Sequence, residues 1–103
     1  MNETPLTLAF VGYTRPDLTE RAIAYEDAVL RLLVDHGAML LARVRRTPGQ
    51  DSSLPLEVHL IWFPDRRALD SYLGDPRRHT LLKSDGDVFT LKHVVEVEQI
   101  ASG

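Results

Sequence analysis

The chain has 103 residues, 44% of them apolar and 26% charged, with a formal net charge of −3 and no cysteine. That length suits one domain with a modest core, spanning residues 1–103, and the composition is globular rather than disordered. Disulfide and thiolate chemistry are excluded, and no apolar run approaches the roughly 20 residues that a membrane span needs.

The start, MNETPL, lacks a basic region and a long hydrophobic segment, so no signal peptide is expected and a cytoplasmic location is. Ten of the twelve basic residues are arginine, but the pairs Arg45-Arg46, Arg66-Arg67 and Arg77-Arg78 each lie near acids. No basic face emerges, and nucleic acid is not an expected partner.

Residues 6–13, LTLAFVGY, read as a first strand. Asp17 stands as an N-cap with Glu20 three residues on, a capping-box spacing. Leu18, Ala22, Tyr25, Val29, Leu32, Leu33 and His36 follow at helical spacing, and Gly37 is placed to end that helix. Residues 38–46, AMLLARVRR, form the second strand, with Leu40, Ala42 and Val44 on one face and Met39, Leu41, Arg43 and Arg45 on the other.

TPGQDSSLP at 47–55 is a hairpin-type loop and LEVHLIWF at 56–63 the third strand. By alternation, Leu56, Val58, Leu60 and Trp62 face the helices, while Glu57, His59, Ile61 and Phe63 face away. Pro64 stops the strand, Asp65 caps a helix built on Ala68, Leu69, Tyr72 and Leu73, and Gly74 ends it. Asp75-Pro76 opens a second short helix to about Lys83, and SDGD at 84–87 is a turn. VFTLKHVVEVEQI is the fourth strand, with Val95 and Val97 opposite Val94, Glu96 and Glu98.

The order β-α-β-β-α-β predicts an α+β fold: a four-stranded antiparallel sheet with both helices on one face, the ferredoxin-like arrangement. The second sheet face, with Met39, Leu41, Ile61, Phe63 and Val94, is half apolar. A second copy packed sheet to sheet would cover it, so a homodimer is expected.

The segment IWFPDRRALDSYLGDPRRHTLL, residues 61–82, resembles one found in small dimeric α/β-barrel proteins. In these the third strand ends in Phe-Pro or Phe-Ser, an Ala-Leu…Tyr-Leu helix follows, and Asp-Pro or Ser-Pro opens a short helix. HGAMLLARV at 36–44 resembles their exit from the first helix. The resemblance runs over nearly the whole chain and implies the dimeric α/β barrel. It leaves activity open, because the superfamily holds antibiotic-biosynthesis monooxygenases, muconolactone isomerases, YCII-related proteins and haem enzymes of the chlorite dismutase type. YCII-related proteins usually carry a histidine within the first helix, where this chain reads AYEDAV with Glu26.

GxGxxG, GxSxG and Walker-type loops are absent, and histidines 36, 59, 79 and 93 have no metal-ligand spacing. Neither a cofactor nor a metal is expected. His59 is the candidate proton-handling, catalytic residue; as a plain residue it would sit satisfied at a dimer interface. Trp62, Tyr25 and Tyr72 are candidates to line a hydrophobic pocket, or else core. Arg43 is a candidate for binding a ligand carboxylate, although pairing of Arg43 and Arg45 with Glu57, Glu96 or Glu98 is commoner. His36 reads as a helix-dipole partner and His79 as surface.

Two functions fit. One is a cofactor-independent oxygenase, isomerase or cyclase acting on a hydrophobic small molecule between sheet and helices. The other is a non-catalytic dimeric ligand-binding or accessory domain.

Overall fold

In the computed structural model, which describes residues 4–101, the strands are β1 (Leu6–Tyr13), β2 (Met39–Arg45), β3 (Glu57–Phe63) and β4 (Leu91–Val97). The helices are α1 (Thr19–Leu30), α2 (Arg66–Leu73) and α3 (Pro76–Asp85). All neighbouring strands are antiparallel in the order β2-β3-β1-β4, which is the expected ferredoxin-like α+β topology. Among the described residues no helix is long and apolar enough to cross a membrane.

The first helix begins differently from the expected capping box. Pro16–Leu18 form a 3₁₀ turn with Pro16 just inside it, so α1 starts at Thr19 without a side-chain cap. Asp17 lies inside that turn and pairs with Arg15 at 3.3 Å. The far end follows expectation: a 3₁₀ segment, Arg31–His36, closes on Gly37 at φ 70°, a left-handed conformation that glycine adopts without a Cβ penalty. Further on, α3 runs past Lys83 to Asp85, so the SDGD segment is helical rather than a plain turn.

Helices and sheet enclose two apolar clusters. Leu6, Ile61 and Phe63 from the sheet meet Leu33, Leu69 and Tyr72. Ala22, Tyr25 and Val29 of α1 meet Leu56 and Val88.

Strand β3 presents the opposite face from the one alternation suggested. Glu57, His59, Ile61 and Phe63 are buried under the helices, while Val58, Leu60 and Trp62 are half-buried on the open face. The set Val58, Leu60 and Trp62 is wholly apolar and the set with Ile61 and Phe63 only half apolar, so alternation showed which residues travel together but pointed to the wrong set as the inward one. Ile61 and Phe63 decide it by entering the core with Leu69 and Tyr72. The two charged members are carried inward with them and must be neutralised there.

A second departure lies in β2. A register irregularity between Leu40 and Ala42 places Leu40 opposite Ile61 but Ala42 opposite Leu60. This β-bulge breaks the strict alternation, so Leu40 does not share a face with Ala42 and Val44. Arg43 and Arg45 stand opposite His59 and Glu57, on the helix-covered face.

The open face is consequently more apolar than expected. It carries Met39, Val44, Leu91 and Val95, which are 55%, 58%, 50% and 54% exposed, beside Val58, Leu60 and Trp62. Ile61 and Phe63 are core instead, and Val94 lies on the helix side at the sheet edge.

Two aspartates start the later helices. Asp65 accepts a hydrogen bond from the Ala68 N–H, and Asp75 accepts one from the Arg77 N–H. Asp75 also pairs with the Arg77 guanidinium and with His36 Nε2, each at 2.7 Å. Asp65→Ala is expected to cost about 1 kcal/mol in denaturant melts, as the loss of a cap alone. Asp75→Ala is expected to cost more, because it also strips His36 and Arg77 of their anion.

Candidate functional site

A cavity of about 90 Å³ lies between the sheet and the helices. Most of its wall is aliphatic or aromatic, and its polar groups are Glu26, His59, Tyr25, Tyr72, Arg78 and Lys92. His59 is brought there by the inward set of β3, Glu26 and Tyr25 by the sheet-facing side of α1, and Tyr72 by α2.

The site is anchored on Glu57, which is 1% exposed. Arg43 grips its carboxylate through two hydrogen bonds, of 2.8 and 3.0 Å, and Arg45 adds one of 2.7 Å. Arg43 is held in turn by Asp27 of α1 at 2.6 Å. Burial pushes the Glu57 carboxyl up, but hydrogen bonds from His59, Arg43 and Arg45 outweigh it and hold it at about 2. Glu57 is therefore ionised near neutral pH and can only accept.

That fixes His59. Its Nε2 lies 2.7 Å from Glu57 Oε1 and must be the donor, so Nε2 carries a proton. Nδ1 faces Glu26 Oε2 at 3.5 Å. The ring stacks on Phe10 at 4.8 Å, and Phe89 meets Phe10 edge to face at 5.5 Å. Gly12 makes room for this stack, since a Cβ there would lie 2.8 Å from both phenyl rings. The imidazole is thus positioned from its edge and its face.

Glu26 is the opposite of Glu57. It is 5% exposed and forms no ion pair with an arginine among the described residues. Burial pushes its carboxyl up to about 7, with His59 pulling it down and Glu57 pushing it further up. Near neutral pH its protonated and ionised forms are therefore close in free energy. Glu57, His59 and Glu26 thus form one buried line of contacts, with Glu57 held ionised at one end and Glu26 raised towards neutral pH at the cavity wall.

The structure brings together His59, Tyr25 and Tyr72 of the residues that sequence singled out. Burial raises the pKa of both tyrosines, that of Tyr72 to about 12 with Arg78 pulling against it, so neither phenol ionises near neutral pH. The Tyr72 hydroxyl donates to the Val29 carbonyl at 3.1 Å and is spent on the fold. Trp62 lies on the other side of the sheet, away from the cavity. Arg43 sits behind Glu57 and serves the protein's own carboxylates rather than a ligand's.

Glu26 did not stand out as a site residue, although its position was informative. It lies four residues after Ala22 and three before Val29, inside the apolar stripe of α1, where a carboxylate is costly unless something uses it. A further trio has the composition of a hydrolytic triad: His36 Nδ1 meets Ser71 Oγ at 2.9 Å, and Nε2 meets Asp75 at 2.7 Å. Asp75 is committed to the α3 cap and to Arg77, and these side chains do not line the cavity, so the trio ties α2 and α3 to the end of the first helical segment. His79 is exposed and bonds the Leu73 carbonyl.

No described family pattern matches the sequence, and no curated protein matches it significantly. Solved structures do. A protein of unknown function from Rhodopseudomonas palustris superposes with a TM-score of 0.76 at 13% identity, covering 98% of this chain and 86% of that one. The fold is that of the antibiotic-biosynthesis-monooxygenase-like and NIPSNAP-like proteins. A protein from Nitrosomonas europaea provisionally named as an antibiotic-biosynthesis monooxygenase gives 0.75 at 11% identity over 97% and 94% of the two chains. An uncharacterised NIPSNAP-like domain protein from Burkholderia xenovorans gives 0.71 at 13% identity over 99% and 90%. Identities this low establish the ferredoxin-like fold alone.

The two carboxyls should leave opposite marks on stability. The Glu26 pKa rises on folding from its ordinary 4.5 to about 7, so its contribution is fully present below about pH 4.5 and is lost as pH climbs through 7. Glu26→Gln is therefore expected to stabilise the protein by about 3 kcal/mol at about pH 8 and to change little at about pH 4. Denaturant melts at the two pH values check this. Glu57 runs the other way: its contribution is present above 4.5 and is lost as pH falls towards 2.

Proposed function

We propose that the chain binds an apolar small molecule in the cavity between sheet and helices and removes a proton from it without a cofactor. The single observation that carries this reading is the Glu57–His59–Glu26 line of contacts opening on a mostly apolar wall. His59 Nδ1 is the base, Glu57 holds the tautomer and balances the charge that forms on the ring, and Glu26 accepts the proton onward. A water-poor cavity strengthens each of these electrostatic steps. Proton removal of this kind is the opening step shared by cofactor-independent isomerases, cyclases and oxygenases. The provisional name of the Nitrosomonas relative fits the oxygenase branch. The cysteine-free sequence fits a cytoplasmic setting.

We also propose that two copies pack sheet to sheet. The apolar open face, with Trp62, Leu60, Met39 and Val95, fits the core of such an interface, which typically buries upwards of about 1,200 Å². In this reading Trp62 belongs to the dimer and His59 to the cavity. Val95→Asp should convert a dimer to a folded monomer by light scattering. A wild-type chain that is monomeric at micromolar concentration would remove the proposal.

For the chemistry, aryl 1,3-diketones serve as carbon-acid probes in deuterated water. The wild type should accelerate their C–H exchange, and His59→Ala should slow it at least about 100-fold, while probe binding measured by NMR persists. Binding without exchange in the wild type would favour a non-catalytic ligand-binding domain instead. No binding at all would overturn both readings.

A further inference from the structure

Arg78 stands apart from the other charged groups of the site. It sits in the first turn of α3 and lines the cavity. Its neighbour Arg77 is bound by Asp75 and Asp35, whereas Arg78 forms no ion pair among the described residues. Its Nε is buried and has no hydrogen-bond partner. The guanidinium lies over the Tyr72 ring, 5.2 Å from its centroid, a contact that positions the group without neutralising it.

A buried N–H left without an acceptor is costly, and proteins generally satisfy it. The local supply of acceptors is poor. The acid in the cavity lining is Glu26, whose carboxyl burial drives toward the neutral form, and Lys92 adds a second cation to the same wall. The lining therefore carries two cations against one reluctant anion, inside a mostly apolar surface.

We propose that the molecule bound here carries an anionic oxygen, as a carboxylate or as a phenolate or enolate, seated against Arg78. This rests on the cavity being the ligand site. The guanidinium fork matches such an oxygen in charge and donor geometry. It also complements the base: a proton leaves toward His59 and Glu26, and the negative charge left on the substrate gathers on an oxygen held by Arg78. No other reactant is required, and the proton and electron pair are both accounted for.

The test uses matched naphthalene ligands near neutral pH, with affinity read by naphthyl fluorescence or absorbance and the site located through the Tyr25 and Tyr72 ring signals in NMR spectra. 2-Naphthoate represents the carboxylate, 4-nitro-1-naphtholate the phenolate, and 2-naphthamide the neutral shape. At least one anion should bind the wild type about tenfold or more tightly than the amide, and which anion does so identifies the oxygen class. Arg78→Gln should reduce that preference to within about twofold while amide affinity holds, and Arg78→Lys should keep part of it. Equal affinity for anion and amide in the wild type, or an unchanged preference in Arg78→Gln, would overturn the assignment and leave the cavity reading standing. If none of the three binds at the tyrosines, the cavity reading itself fails and takes this one with it.

Discussion

The buried carboxylate of Glu57 is the constraint on which the site depends. A lone ionised carboxylate inside a protein is prohibitively costly, and here it is tolerated because three donors converge on it. Arg43 and Arg45 come from the adjacent strand at a bulge-shifted register, and His59 comes from two residues along β3. Each donor is itself fixed by meeting Glu57. Removing the carboxylate would leave the Arg45 guanidinium and the His59 Nε2 edge without their anion and Arg43 with Asp27 alone, so the sheet edge and the cavity floor would loosen together.

From that anchor the rest of the site follows by geometry. Phe10 and Phe89 hold the imidazole from its face, and Gly12 gives them room. With one ring nitrogen tied to a permanent anion, the other is offered to Glu26 and to the cavity. The two glutamates therefore differ through surroundings alone: one surrounded by donors and held ionised, the other buried with fewer partners and raised towards neutral pH. Divided roles of this kind are how paired carboxyls do acid–base work.

Much of the architecture was legible in the sequence, and the failures have identifiable causes. Gly37, Asp65 and the Asp75-Pro76 pair punctuate the chain where local backbone chemistry demands, and they place the elements correctly. Which side of β3 turns inward was not legible, because Val58, Leu60 and Trp62 are as apolar as Ile61 and Phe63. The strand has two apolar faces, one met by helices and one left open. A one-residue bulge in β2 then altered which residues share a side, and no glycine marks it. Of the site, His59, Tyr25 and Tyr72 were visible as residue types. Glu26 and Arg78 acquire meaning only through what surrounds them, a buried position in one case and a missing partner in the other.

The central claim is that the two glutamates flanking His59 hold different charges at the same pH. Carbon-13 NMR of the side-chain carboxyls, followed across a pH titration, measures this directly. The account predicts that the Glu57 signal stays in its ionised position through the range in which Glu26 titrates and moves only towards a midpoint of about 2, while the Glu26 signal moves with a midpoint of about 7. Both signals titrating together near the ordinary value of 4.5 would contradict it.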